Sequence, residues 1–214
     1  MRTSLAAIAA ALALAATPGD ARPVSWPGGV TLIQELDPKT VSGLVHYTPN
    51  RHWSLGGRLM HMRDEQWSAA GLQATWLVRR WNMPSAQANL YLSGMAGGAW
   101  ETGAGANRSV RPAAFVQAQG DWEDRRFMVM GLGRVTSAGH IGTEAMAMGR
   151  AGFAPFVADY GAVHLWLFGE LAYRTEGDDR WQPALVARIF YRTMLLEAGV
   201  TDRGGLILNS QFRF

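Results

Sequence analysis

The chain has 214 residues, no cysteine and a formal net charge of +3 at pH 7. Without thiols, neither a disulfide framework nor a thiolate metal site can form. Lys39 is the only lysine among 20 cationic side chains, and the arginines are spread along the chain, which excludes the clustered basic patch of a nucleic-acid-binding protein. Although 48% of the residues are hydrophobic, no apolar run beyond the N-terminus is long enough for a transmembrane helix, which excludes a helical membrane protein.

The N-terminal 21 residues have the features of an export signal. One positive charge, Arg2, precedes an apolar core from Leu5 to Ala16, and a Thr-Pro breaker and a small-x-small site ending at Ala21 follow it. The apolar core is too short to span a bilayer. We therefore predict cleavage after residue 21 and one mature domain over 22–214, with a retained N-terminal anchor helix as the alternative.

From residue 29 onward, segments in which apolar and polar residues alternate are separated by turn-forming residues. This alternation is the pattern of β-strands, and glycine, proline, asparagine and aspartate mark the connections. We predict twelve strands, with ten or eight as alternatives. The predicted ranges are 29–36, 41–48, 52–62, 67–80, 87–99, 111–120, 126–136, 144–156, 161–172, 181–191, 194–200 and 205–214.

The alternation gives each strand an apolar face and a polar face, because successive side chains point to opposite sides. A transmembrane barrel directs the apolar face towards lipid, whereas a soluble sandwich buries the same face in its core, so alternation alone does not separate the two. The apolar face includes Leu55, Leu59, Leu72, Trp76, Val116, Leu167, Leu171, Leu185 and Ile189. The polar face includes Arg58, Gln73, Gln117, Arg150, His164, Glu170, Arg188, Glu197 and Arg213.

The last predicted strand ends the chain on an aromatic residue of its apolar face. Phe212 and Phe214 lie on that face, and Arg213 lies between them on the polar face. This strand resembles the closing strand of bacterial outer-membrane β-barrels, in which the terminal phenylalanine forms part of the assembly signal. The resemblance implies that Phe212 and Phe214 form the membrane-insertion signal, and that outer-membrane lipid and the barrel-assembly machinery are partners.

Three features favour the membrane barrel. The predicted strands are often longer than the mean of about 5–6 residues in soluble sheets and suit the length of about 9–11 residues that spans a membrane. The connections at 49–51, 81–86, 121–125, 157–160 and 192–193 are short and lie at one end, whereas the longest, 101–110, lies at the other. Aromatic residues stand near strand ends, where amphipathic rings settle at headgroup level: Trp53, Trp67, Trp81, Trp100, Trp122, Tyr160, Tyr173, Trp181 and Tyr191.

These observations predict an all-β protein, an antiparallel up-and-down transmembrane β-barrel in the bacterial outer membrane. The polar face then lines the lumen. Its arginine and glutamate side chains could pair into a network that fills the interior, or line a narrow aqueous path in which an excess of arginine favours anions. We expect a small porin-like channel or a structural barrel, without a cofactor.

Methionine suggests one alternative function. Three i, i+2 pairs fall on the predicted lumen face, with a histidine inside the first pair: Met60, His61, Met62, Met128, Met130, Met146 and Met148. Thioether sulfur suits Cu(I), so these residues could hold copper or silver. Methionine also fills irregular gaps in narrow interiors, which is the interpretation we favour.

A lipid-modifying hydrolase is the second alternative. The H-W-S sequence at 52–54 is similar to the His-x-Ser of outer-membrane lipid A deacylases, although Leu55 stands where that family continues with asparagine. Ser137, His140 and Glu144 in one predicted loop are a second set of nucleophile, base and carboxylate. We expect no catalysis from either set.

Overall fold

The structure, a computed structural model, describes residues 23–106, 109–159, 161–177 and 179–214. The predicted export signal over 1–21 lies outside these residues. Within them, no helix has the length and apolar character needed to cross a membrane. The strands are β1 Val30–Leu36, β2 Thr40–Asn50, β3 Trp53–Met62, β4 Trp67–Asn82, β5 Ala86–Glu101, β6 Arg111–Asp124, β7 Phe127–Ser137, β8 Thr143–Phe153, β9 His164–Arg174, β10 Trp181–Tyr191, β11 Met194–Thr201 and β12 Leu206–Arg213.

Each strand pairs antiparallel with its sequence neighbours, and β1 pairs with β12 to close the barrel. At this seam the Val30 N–H donates to the Phe214 carbonyl at 3.0 Å, and the Phe214 N–H donates to the Val30 carbonyl at 2.9 Å. The terminal residue thus completes the ladder, and the sheet has no open edge. The predicted twelve-stranded up-and-down barrel is confirmed.

The barrel is apolar outside and polar inside. On the outer surface Leu72 is 79% exposed and Leu185 is 70% exposed, whereas Arg58 and Glu197 are buried on the lumen side. In water this arrangement would expose apolar surface and bury charge, but in a bilayer the apolar side chains meet lipid. The protein is therefore a transmembrane β-barrel of the outer-membrane type, and membrane lipid is its surrounding partner.

The two ends of the barrel differ in their connections. We call the end that carries Phe214 the inner end and the end that carries the β1–β2 turn the outer end. Three outer connections, at 102–110, 138–142 and 175–180, are longer than every inner connection except one. That exception, β8–β9, spans 154–163 rather than the predicted 157–160, because β8 stops before Pro155, which cannot donate to the ladder.

Aromatic side chains mark both ends of the outer surface. At the inner end Trp53 and Trp76 are stacked with ring centroids 5.8 Å apart, and at the outer end the Tyr173 and Trp181 centroids are 4.8 Å apart. These rings occupy the positions expected of interfacial girdles. The predicted girdle residue Tyr160 lies outside the described residues.

Trp67 was wrongly predicted to belong to a girdle. Its side chain is 1% exposed and packs inside the barrel with Met60 and Met62. The error has a simple origin: Trp67 stands near a strand end, but it shares the inward face of β4 with Ala69 and Gln73. Position along a strand does not specify which side of the sheet a residue occupies.

We expect Leu72→Arg to lower the free energy of unfolding by about 2–4 kcal/mol, because it places a charge in the hydrocarbon region. Denaturant unfolding of the refolded barrel in lipid vesicles measures this change. The matched control is Gln119→Arg, which adds the same side chain on the lumen side of β6, where Gln119 lines a cavity. Equal effects of both substitutions would contradict the membrane-facing assignment.

Candidate functional site in the barrel lumen

The lumen contains a polar cavity of about 850 Å³. It extends from Asp37 and Thr40 beside the outer end to Arg125 and Arg192 at the inner end. Its wall carries seven arginines and seven carboxylates. The expected excess of arginine is therefore absent from this wall, because Glu35, Asp37 and three acidic residues of β6 also face the cavity.

The middle of the wall carries a network centred on two carboxylates. Arg150 lies between them: its Nη1 donates to Glu197 Oε1 at 2.7 Å and its Nε donates to Glu170 Oε2 at 3.0 Å. Glu197 also accepts from Arg188 Nε at 2.7 Å and from Asn209 Nδ2 at 2.8 Å. With three donors, the buried Glu197 carboxylate is well compensated.

An aromatic pair supports this network. Phe168 lies beneath both guanidinium groups, with its ring centroid 5.2 Å from the Arg150 Cζ and 4.7 Å from the Arg188 Cζ. Trp166 stacks on Phe168 at 6.0 Å and lines the cavity. Cation–π contacts hold the two guanidinium planes against the wall, so they do not project freely across the lumen.

A second network lies on strands β1 to β4. Arg58 donates to Glu35 at 3.0 Å, to Gln73 at 2.7 Å and to Ser42 at 2.9 Å. Its Cζ also lies 5.8 Å from the centre of the Phe115 ring, which reaches into the lumen from β6. The lumen on this side is therefore occupied by paired side chains rather than by water alone.

Arg174 spans the lumen at the outer end. Its Nη2 donates to Asp37 in the β1–β2 turn at 2.9 Å, and its Nη1 donates to Glu144 and to Thr40, each at 3.1 Å. Four strands separate β9, which carries Arg174, from β2, which carries Thr40. These contacts tie the β1–β2 turn across the outer mouth. Arg174 itself is only 3% exposed, so its guanidinium group is shielded from solvent.

An apolar layer covers the rest of the outer mouth. Its buried members include Met60, Met62, Trp67, Phe115 and Ala138. Ala138 belongs to the β7–β8 connection, so this connection folds over the lumen. Together with the Arg174 bridge, this layer fills part of the lumen near the outer end.

The inner end is narrowed but not sealed. The segment before β1 enters the mouth, where the Ser54 hydroxyl donates to the Pro23 carbonyl at 3.2 Å and Val24 packs against Leu77 and Tyr91. Arg125 and Arg192 remain exposed at this mouth and line the cavity. The cavity therefore opens towards the inner end.

All nine side chains predicted to line the lumen point inward. Seven of them line the large cavity: Arg58, Gln117, Arg150, His164, Glu170, Arg188 and Glu197. Gln73 lies behind the wall as an acceptor for Arg58. Arg213 is also buried, with the Gln211 amide oriented so that its oxygen accepts from Arg213 Nε at 3.0 Å. Their functional role stays a prediction.

Sequence reasoning missed several side chains of the cavity wall. Glu35, Asp37, Arg134 and Arg174 all line the cavity, yet none was assigned to it. The alternation of faces along β7 would have placed Arg134 in the lumen, because Arg134 shares its face of the strand with Met128 and Met130. Asp37 and Arg174 stand at strand ends, where alternation does not indicate whether a side chain turns inward.

The methionines separate into two groups. Met60 and Met62 belong to the apolar layer, whereas Met128, Met130, Met146 and Met148 line the cavity. Two of these thioethers accept from guanidinium groups, Met128 from Arg188 at 3.4 Å and Met146 from Arg134 at 3.9 Å. These positive charges oppose the binding of a metal cation at the same sulfur atoms.

Histidine belongs to no candidate metal cluster within the described ranges. The His61 ring nitrogen Nδ1 lies 3.0 Å from the Ser68 hydroxyl. Among the described residues, no group of three histidine or carboxylate side chains is placed to hold a metal ion. The copper or silver interpretation of Met60, His61 and the other methionines stays a prediction that these contacts do not favour.

Neither candidate set of catalytic residues converges. Ser54 is buried in the lumen and donates to Pro23, away from the outer leaflet. Ser137 is exposed and lies 3.3 Å from the Thr143 hydroxyl, whereas Glu144 is buried inside and paired with Arg174. Nucleophile, base and carboxylate must lie within hydrogen-bonding reach of each other, whereas Ser137 and Glu144 face opposite sides of the sheet.

Glu65 is the unusual carboxylate at the outer end. It lies in the β3–β4 turn, outside the strands, and its Oε2 atom is buried without a hydrogen-bond partner. Burial raises the pKa of Glu65 above its ordinary value of 4.5, and the nearby charges of Glu144 and Asp64 act in the same direction. A backbone hydrogen bond and the charge of Arg174 offset this effect only in part, so the pKa of Glu65 stays above its ordinary value.

No protein-family model matches the chain, and no curated protein matches its sequence. Among solved structures, the KdgM porin in complex with disordered oligogalacturonate is 10% identical, with a TM-score of 0.49 over 87% of this chain and 98% of that chain. A second KdgM porin structure is 11% identical, with a TM-score of 0.44 over 87% and 98%. The beta domain of the Bordetella autotransporter BrkA is 11% identical, with a TM-score of 0.39 over 87% and 97%. Similarities this low assign neither a substrate nor a partner to the present chain.

We expect Glu197→Gln to lower the free energy of unfolding by about 3–5 kcal/mol, because it removes the charge that compensates two buried guanidinium groups. Denaturant unfolding in lipid vesicles measures the loss. Asp202→Asn is the control, since Asp202 is an exposed carboxylate in the β11–β12 turn. If Glu197→Gln lowers the free energy of unfolding no more than Asp202→Asn does, the network is not needed for stability.

We expect Glu65→Gln to stabilise the barrel at neutral pH. A carboxyl whose pKa is raised by folding destabilises the fold when ionised, and this cost disappears as the pH falls through the raised pKa towards 4.5. The unfolding midpoint of the variant should therefore exceed that of the wild type at pH 7 and match it at pH 4. Glu176→Gln, at an exposed position of the β9–β10 connection, should shift neither midpoint.

Proposed function

We propose that this protein is a small porin-like channel of the bacterial outer membrane, inserted by the barrel-assembly machinery through its C-terminal strand. The observation that supports this function best is the cavity of about 850 Å³, lined by charged and apolar side chains, that runs along the lumen. Barrels of about eight strands are filled by side chains, whereas the twelve strands here leave a cavity whose wall carries charged side chains. Charged walls of this kind require water, and water that extends along a lumen provides a path for polar solutes.

The arrangement of charge supports a path for small solutes rather than a wide pore. Arginine and carboxylate groups on the cavity wall are equal in number, and most of the buried ones pair with each other. Paired charges are held against the wall by hydrogen bonds and by the Phe168 ring. The open part of the lumen is therefore narrow, hydrophilic and nearly neutral over most of its length.

The described conformation corresponds to a channel that is closed at its outer mouth. The Arg174 bridge to Asp37 and Thr40 and the apolar layer around Trp67 both cover that end. Passage requires the β1–β2 turn to move away from Arg174. Because Asp37 is partly exposed, water can compete for this ion pair, and opening needs no change in the strand ladder.

Conductance of the refolded mature protein in planar bilayers tests the function. We expect small, discrete current steps for the wild type and a several-fold longer open time or larger step for Arg174→Ala, because the substitution releases the β1–β2 turn. The control is Arg203→Ala, which removes an exposed arginine paired with Asp179 outside the lumen and should leave the current unchanged.

Folding is checked in the same samples by heat-modifiable migration on gels. If both the wild type and Arg174→Ala are folded and inserted but carry no current, the channel proposal is wrong and the barrel has a structural role. If Arg174→Ala conducts like the wild type, the channel remains but the Arg174 bridge is not its gate.

A further inference from the structure

Arg134 differs from the other buried arginines of the cavity. Four of them donate to a carboxylate at 3.0 Å or less, namely Arg58, Arg150, Arg174 and Arg188. Arg134 in β7 is only 8% exposed, yet among the described residues no carboxylate lies within ion-pairing distance of its guanidinium group. Glu35 and Glu144 lie near enough to act on this charge electrostatically, but neither forms an ion pair with it.

The contacts that Arg134 does make are weak. Its Nη2 lies 3.9 Å from the Met146 sulfur, and its Cζ lies 5.9 Å from the centre of the Phe115 ring. Its Nε is buried without a hydrogen-bond partner. A thioether is a weak acceptor and a ring face compensates a cation only in part, so a free-energy cost remains unless an anion is supplied from the cavity.

The surroundings of Arg134 are built to receive such an anion. Arg134 lines the cavity, and its cross-strand partner Gln117 in β6 lines the cavity beside it. Arg58 lies near the same Phe115 ring, which adds positive potential, although its own hydrogen bonds go to Glu35 and its neighbours. A ligand at this point would meet guanidinium donors, a carboxamide and the apolar surfaces of Phe115 and Met146.

We propose that Arg134 and Gln117 form a lumen binding site for the carboxylate of a small organic solute. The planar guanidinium group donates two parallel hydrogen bonds to a carboxylate, and Gln117 supplies a further donor. Phe115 and Met146 then contact the apolar body of the solute. The unpaired arginines Arg125 and Arg192 do not form an equivalent site, because they are exposed to water at the inner mouth.

The biological meaning of this site rests on the proposed channel function. The site adds to that function the chemical class of a solute. The site itself can be tested without any current. A barrel that binds the carboxylate but does not conduct would overturn the channel and keep the site. A barrel that conducts but shows no Arg134-dependent binding would overturn the site and keep the channel.

The experiment is isothermal titration of the refolded full chain in detergent, at constant ionic strength and chloride concentration. The probes are benzoate, its neutral analogue benzamide, and sulfate. We expect benzoate to bind with one site per barrel and at least tenfold more tightly than benzamide. Arg134→Gln should lower the affinity for benzoate at least tenfold. The control is Arg192→Gln, which also removes one arginine from the cavity wall and should change this affinity less than twofold.

Arg134→Lys is the second variant, because it keeps the charge and removes the planar donor pair. Arg134→Lys should lower the affinity for benzoate more than the affinity for sulfate, because sulfate needs no planar partner. If Arg134→Gln does not refold, this comparison tests the site in its place. Equal binding of benzoate and benzamide would overturn the proposal. Binding of sulfate alone would also overturn it, since the site would then hold an inorganic anion only.

Discussion

Backbone hydrogen bonding in lipid is the constraint on which this structure depends. The hydrocarbon region offers no partner for an unpaired N–H or C=O group, so a sheet is stable there only when it closes on itself. The two hydrogen bonds between Val30 and Phe214 complete that closure at the inner end of the seam. Every strand then has two neighbours, and side-chain direction alone decides what faces lipid and what faces the lumen.

Closure also sets the conditions inside the barrel. Twelve strands enclose more space than side chains fill, and the polar face of each strand delivers arginine, glutamate and glutamine to that space. Because isolated charges are costly there, most of them pair across strands, as Arg150 does with Glu197 and Arg174 with Asp37. The pairing both stabilises the barrel and decides which parts of the lumen remain open.

The exceptions to this pairing are the places where function is expected. Arg134 forms no direct ion pair within the described cavity wall and leaves its Nε unsatisfied, and Glu65 leaves a buried oxygen unsatisfied at the outer mouth. Stability alone does not explain either group, since each one costs free energy where it stands. A buried polar group that a protein keeps unpaired is best understood through a ligand or a change of conformation that completes its contacts.

The sequence by itself determined the strands and their faces and favoured twelve strands over ten or eight, because alternation with a period of two is a local property of the chain. It also placed Arg58, Arg150, Glu170 and Glu197 on the lumen side and the terminal strand at the seam. Only the tertiary structure decided which of those charges meet, since Arg174 and Asp37 are 137 positions apart in sequence. It also decided that Trp67 packs inside the barrel and that Arg134 forms no direct ion pair among the described residues, because both depend on how the closed barrel brings distant strands together across the lumen.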